Sequence, residues 1–189
     1  MDISILLASK SPRRHQLMRM LGFPVTIISL DVDEHIDATI PVERVAETLA
    51  LRKAAGCDRG RLQPSQILVT ADTIVSLNGC KLGKPQNRDE AITMLTSLSG
   101  QRHTVYTGVC LTTRVRQRAF TESTDVCFRP LSRADIEHYV DTCLPFDKAG
   151  SYGVQDWIGM VGVERIEGCY YNVMGLPTSR LYQEIMHIV

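Results

Sequence analysis

A chain of 189 residues with 44% hydrophobic content suits one domain, or two lobes sharing one core. Lysine plus arginine equal aspartate plus glutamate, so the formal net charge is zero and nothing global favours nucleic acid or a membrane surface; any anion site must be local. The six cysteines, at 57, 80, 110, 127, 143 and 169, never form C-x-x-C and sit in apolar contexts, which argues against zinc and a disulfide framework and favours a reduced, cytoplasmic interior.

Met1-Asp2 leads directly into strand character, with no basic n-region, apolar signal core or spanning stretch. Ile3 to Ser9 is a β-branched, apolar run. Ser11-Pro12-Arg13-Arg14 then reads as an N-cap, a proline at the first helical position and two cations in the first turn. A helix N-terminus carries partial positive charge and unpaired N–H groups, so adjacent arginines are unfavourable there unless an anion compensates, and phosphate is the natural anion. The alternative is that both guanidinia simply extend into water. The helix continues from Gln16 to Leu21, where Gly22 ends it, and Val25 to Leu30 resumes β character before the acidic Asp31-Val32-Asp33-Glu34.

Pro41 opens a second helix with an apolar track of Val42, Val45 and Leu49 that runs on to Lys53, a lysine that must either snorkel or point into a cleft. Ile67 to Leu77 is a strand turned by Asn78-Gly79, a strong hairpin signal. Aspartate is depleted in strands, yet Asp72 sits among Leu68, Val69, Ile74 and Val75, which implies partial desolvation and a need for a nearby cation or metal. With Gly83-Lys84-Pro85 returning after the turn, an ammonium can face that carboxylate across the hairpin; the alternative is a bulge or edge aspartate bonded to backbone.

Asn87 and Glu90 form a capping-box-like start to a helix through Leu95 and Leu98 to Gly100. Strands His103 to Thr113 and Arg118 to Phe128 follow, joined by a basic tip at Arg114 and Arg116 that reads as a solvated hairpin end. Ser132 and Asp135 cap a helix through Tyr139 and Val140. The stretch Pro145 to Gln155 is irregular and rich in glycine, charge and aromatics, the composition of a loop that places polar groups for function. The last strand and helix, through Gly175-Leu176-Pro177 to Val189, read as structural.

Taken in order, Ala8-Ser9-Lys10-Ser11-Pro12-Arg13-Arg14, Ala71-Asp72-Thr73, Gly83-Lys84-Pro85, Tyr106-Thr107-Gly108-Val109, Asp147 to Gln155 and Gly175-Leu176-Pro177 resemble the Maf family of nucleotide pyrophosphatases over nearly the whole chain. The resemblance implies a single domain over 1–189: an α/β fold, related to the inosine-triphosphatase architecture, with an elongated, twisted mixed sheet flanked by helices, two lobes with a central cleft, and pairing as a homodimer. It implies hydrolysis of a nucleoside triphosphate between the α and β phosphates with a divalent cation, Mg2+ or Mn2+. No G-x-x-x-x-G-K-[ST] stretch occurs, so a Walker-type phosphate site is excluded.

In the resemblance, Ser11, Arg13 and Arg14 hold phosphate oxygens and Lys53 and Lys84 add charge. Asp72 acts as general base, and Glu34 orients the metal or the attacking water, so that Glu34 and Asp72 are the metal-side carboxylates. The Asp147 to Gln155 segment is similar to the branch acting on dTTP and UTP, in which Arg13, Thr73 and Gln155 correspond to specificity positions. A glutamine amide complements the O4/N3–H edge of thymine or uracil. The chain departs from the family pattern after this glutamine, where Asp156-Trp157 replaces the usual glycine, and that bears on the loop path and on base selectivity. Two other readings stay open: a house-cleaning pyrophosphatase for 7-methyl-GTP or other modified nucleotides, and a non-catalytic regulator of septum formation. Zero net charge weighs against nucleic acid as a partner, and the charged catalytic positions weigh against a vestigial site.

Overall fold

The computed structural model describes residues 3–37 and 39–188; the expected entry at Met1-Asp2 and the end of the last helix at Val189 lie outside the described residues. Strand and helix alternate at once, as β1 (Ser4–Ala8), α1 (Pro12–Met20), β2 (Val25–Ile28), α2 (Val42–Ala55) and β3 (Gln66–Leu77). β1 pairs parallel with β2 on one side and with β3 on the other. Five successive residues of β3, Ile67 to Ala71, are buried, as expected of a parallel strand covered on both faces. Ser11 caps α1, Pro12 opens it, and Gly22 at φ 84° turns the chain out of it, a backbone region that favours glycine.

β3 turns through Asn78 and Gly79, with φ of 51° and 79°, into the antiparallel β4 (Cys80–Leu82). Then come α3 (Arg88–Leu98), β5 (Arg102–Thr112), β6 (Gln117–Phe128), α4 (Arg133–Cys143), two short 3-10 turns, α5 (Trp157–Gly162), β7 (Val163–Glu167), α6 (Tyr170–Val173) and α7 (Thr178–Ile188). The result is an open, mixed α/β sheet of seven strands among the described residues, in the order β2-β1-β3-β5-β6-β7 with β4 on β3. Ser132 and Asp135 cap α4 as expected, and they do so as a full capping box. At α3 Asn87 caps as expected, but the Glu90 carboxylate takes the N–H of Gln86, one residue earlier than a capping box would have it.

The chain divides into two compact units, which β3, β5 and β6 enter in turn. The first comprises Met1–Asp72, Thr107–Glu122 and Gly175–Val189. In it α2 lies directly on β5, with Ala50 and Ala54 packed on Cys110. Gly108 makes that approach possible, because a Cβ there would stand 2.2 Å from the Glu47 nitrogen and 2.3 Å from the Ala46 carbonyl carbon. α7 is fastened by Arg180, whose guanidinium stacks 4.5 Å over Phe120 and donates to the Thr121 carbonyl at 2.8 Å. The second unit, Thr73–Tyr106 and Ser123–Met174, has its own core of Leu95, Leu98, Phe128, Ile136, Tyr139 and Ile158.

Candidate active site

β1 runs into α1 and β2 on one side, and the chain returns through α2 to place β3 on the other. This is a topological switch point, and ligands of parallel sheets bind at the carboxyl ends of the strands flanking such a point. The register pairs Ala8 at the end of β1 with Thr70 of β3, so the Ser9-Lys10-Ser11 loop and the α1 N-terminus lie beside residues 70–72. Ser11 accepts the Arg14 N–H at 3.5 Å, and its own N–H is held by the Ser9 hydroxyl at 3.1 Å.

Three consecutive residues of β3 assemble this end of the first unit. The buried Thr70 hydroxyl donates to the Ala50 carbonyl at 2.7 Å, fixing α2 one turn before Lys53. The Ala71 carbonyl accepts from Arg14 Nη1 at 3.0 Å. Asp72 shares the face of Thr70 by strand alternation, and its Oδ1 receives the Lys53 ammonium at 2.7 Å. That ammonium also reaches Glu34 Oε1 at 2.8 Å. Lys53 and Asp72 side chains are each only 16% exposed, against 61% for Glu34, so the Lys53–Asp72 pair is the less screened of the two.

A cation reaches Asp72 from α2, while the ladder of the hairpin itself runs from Val75–Leu82 to Leu77–Cys80. Lys53 therefore neither snorkels nor ends in solvent. The C-terminal segment, expected to be purely structural, also contributes to the site: the Gly175 carbonyl accepts from Arg14 Nε at 2.8 Å.

Arg14 is clasped by two backbone carbonyls and partly buried; burial lowers its guanidinium below the ordinary value, and the Asp72 charge acts in the opposite sense. Arg13 lies on the first turn of α1. Replacing Arg14 with alanine removes both of these hydrogen bonds and should cost about 1–3 kcal/mol of stability. Arg13→Ala should stay within about 0.5 kcal/mol while weakening nucleotide binding or turnover. Denaturant melts and steady-state kinetics on the two variants check this, and an Arg13 variant that unfolds readily yet keeps full activity would make Arg13 structural instead.

Thr73, Lys84 and Gln155 belong to the second unit. Thr73 follows Asp72 directly on β3, and Lys84 is exposed just past β4, beside a Gly83 carbonyl that accepts the Gly150 N–H at 2.9 Å. Gln155 precedes Asp156 and α5, and its Nε2 donates to Asp156 Oδ1 at 3.0 Å. Asp156 Oδ2 accepts the Tyr139 hydroxyl at 2.8 Å, with Lys148 Nζ at 3.6 Å. The Tyr139 oxygen in turn accepts the Gly153 N–H at 3.1 Å. Burial, and then the bond to Asp156, raise this phenol well above its usual range, so it remains a donor at any working pH. The irregular loop is thus ordered by polar contacts inside the unit. Sequence reasoning missed Thr70, Gly108, Gly175 and Asp156 as supports; only Gly108, a glycine inside a strand, carried a local signal of close backbone approach.

Residues 4–188 match the model of the family described as Maf-like protein. A protein of Bacteroides thetaiotaomicron named dTTP/UTP pyrophosphatase is 50% identical over 182 residues, covering 96% of this chain and 94% of that relative. One of the same name from Bacteroides fragilis is 51% identical, covering 97% and 95%, and one from Porphyromonas gingivalis is 46% identical, covering 96% and 92%. With a family match across almost every described residue and relatives about half identical over 96% and 97% of its length, this chain belongs to the Maf family.

Proposed function

We propose that this protein is a nucleoside triphosphate pyrophosphatase acting on dTTP and UTP and releasing the monophosphate and pyrophosphate. The observation that carries the reading is the convergence of Asp72 and Glu34 on Lys53 at the switch point, beside the N-terminus of α1. Relatives about half identical, named for this activity, support it.

The chemistry follows from those groups. Water adds to phosphorus as the α–β anhydride bond breaks, the water's proton passes to Asp72, and the leaving oxygen departs with pyrophosphate. Lys53 orients the Asp72 carboxylate, and Arg13, Ser11 and the α1 N–H groups receive phosphate oxygens. Arg14, clasped from behind by Ala71 and Gly175, presents a fixed positive charge. Lys84 is assigned to the phosphates, and Thr73 and Gln155 to the base.

A divalent cation fits this site. Among the described residues no group of three or more His, Cys, Asp or Glu gathers for a metal. Two carboxylates already converge on one ammonium, however, and a hard cation such as Mg2+ commonly takes one or two protein carboxylates with water and phosphate oxygens for the rest. Glu34 and Asp72 would hold it, and when bound it neutralises phosphate charge.

A cytoplasmic homodimer is part of the proposal. All six cysteines are free thiols, in keeping with a reducing compartment, and no helix among the described residues is long and apolar enough to cross a membrane. Pairing rests on the family resemblance.

Pyrophosphate release across UTP, dTTP, CTP, ATP, GTP and 7-methyl-GTP tests the reading. UTP and dTTP should lead in Mg2+ or Mn2+, and chelation with EDTA should abolish release until metal is restored. A lead for 7-methyl-GTP, or full activity in EDTA, would reject the substrate or the metal assignment respectively.

A further inference from the structure

The residue after Gln155 stands where the family pattern has glycine, and its geometry gives it a task. An ionised carboxylate can only accept hydrogen bonds, so whichever end of the Gln155 amide faces Asp156 Oδ1 at 3.0 Å must be the NH2 end. Asp156 is itself fixed, because Oδ2 takes the Tyr139 hydroxyl at 2.8 Å and Lys148 stands 3.6 Å away. Gly153 leaves the necessary room: a Cβ there would lie 2.6 Å from Asp156 Oδ2 and 2.7 Å from Gln155 Nε2. The far end of the amide, Oε1, is buried with no hydrogen-bond partner among the described residues. A buried carbonyl without a donor is a cost that an arriving N–H removes.

We propose that Asp156 is a positioning residue for base selection, locking the Gln155 amide so that Oε1 is offered to a ring N–H and a remaining Nε2 hydrogen to the neighbouring exocyclic oxygen. This rests on the proposed reading of Gln155 as the residue that meets the base. Uracil and thymine present N3–H beside O4, the complement of that order. Cytosine presents the reverse, an N3 acceptor beside an amino donor, and would match only an amide turned through half a revolution. Oε1 is covered, so a base meets it only when what covers it moves aside.

The test is kcat/KM for UTP and CTP in the full-length protein and in Asp156→Asn. Asparagine offers its carbonyl to the Tyr139 hydroxyl and its NH2 to Gln155, which turns the glutamine amide around. The UTP-to-CTP ratio should fall roughly tenfold or more. The CTP value should rise in absolute terms, a gain that mere damage to the loop would not produce. Asp156→Ala removes the acceptor without offering a donor, and should give a ratio between those of wild type and Asp156→Asn; it also serves if the asparagine variant does not fold. Melting curves confirm which variants are folded. A wild type preferring UTP with an unchanged ratio in the folded variants overturns this inference alone. A wild type with no preference for UTP over CTP overturns the base assignment and this inference with it.

Discussion

Asp72→Asn is expected to lower turnover by roughly a hundredfold or more while leaving the fold intact. The substitution keeps the size of the side chain and an oxygen able to accept from Lys53, but the amide cannot take a proton from water at neutral pH. Lys53 retains Glu34 at 2.8 Å, so no ammonium is left without a carboxylate, and the melting temperature should change little. Single-turnover pyrophosphate release under saturating nucleotide separates the chemical step from binding. A folded Asp72→Asn protein with near-normal turnover would remove Asp72 from the role of base.

Gly108→Ala is expected to be among the most damaging single-methyl changes in the chain. The added carbon would overlap the backbone of α2 at Glu47 and Ala46, at 2.2 and 2.3 Å, so the whole helix must move and no side chain can swing aside. The cost should reach about 3 kcal/mol, a fall in melting temperature of roughly 10 °C for a chain of this size. Activity per folded molecule should fall as well, because lifting α2 breaks the Thr70–Ala50 bond and carries Lys53 away from Asp72. A fully active, stable Gly108→Ala protein would show that the contact between α2 and β5 does not position Lys53.

Much of the fold was legible because it is encoded locally. Ser11-Pro12 and Gly22 mark both ends of α1, Asn78-Gly79 sets the hairpin turn, and Ser132 with Asp135 builds the box that starts α4. The charged site residues were also recognisable, since an aspartate within an apolar strand and a lysine on a buried stripe both demand a partner. Their pairing was not recognisable. Lys53 and Asp72 meet because a parallel crossover brings α2 over β3, and nothing in either residue's neighbourhood states which helix will arrive. Backbone roles were the least visible: the Ala71 and Gly175 carbonyls that clasp Arg14 belong to residues with no polar side chain. Asp156 stood out in the sequence only as a departure from a pattern, and the sharing of its two oxygens between Tyr139 and Gln155 is set by the fold and not by its sequence neighbours.

The bond from Arg14 to the Gly175 carbonyl spans 161 residues. It ties the first turn of α1 to the residue that leads into α7, so an early helix depends on a partner made much later. β1, α1, β2, α2 and β3 are synthesised early, yet the clasp on Arg14 and the glycine that admits α2 arrive only with later segments. A fragment that stops before Gly175 therefore lacks one of the two carbonyls that clasp Arg14, and the clasp closes only after that segment has been made.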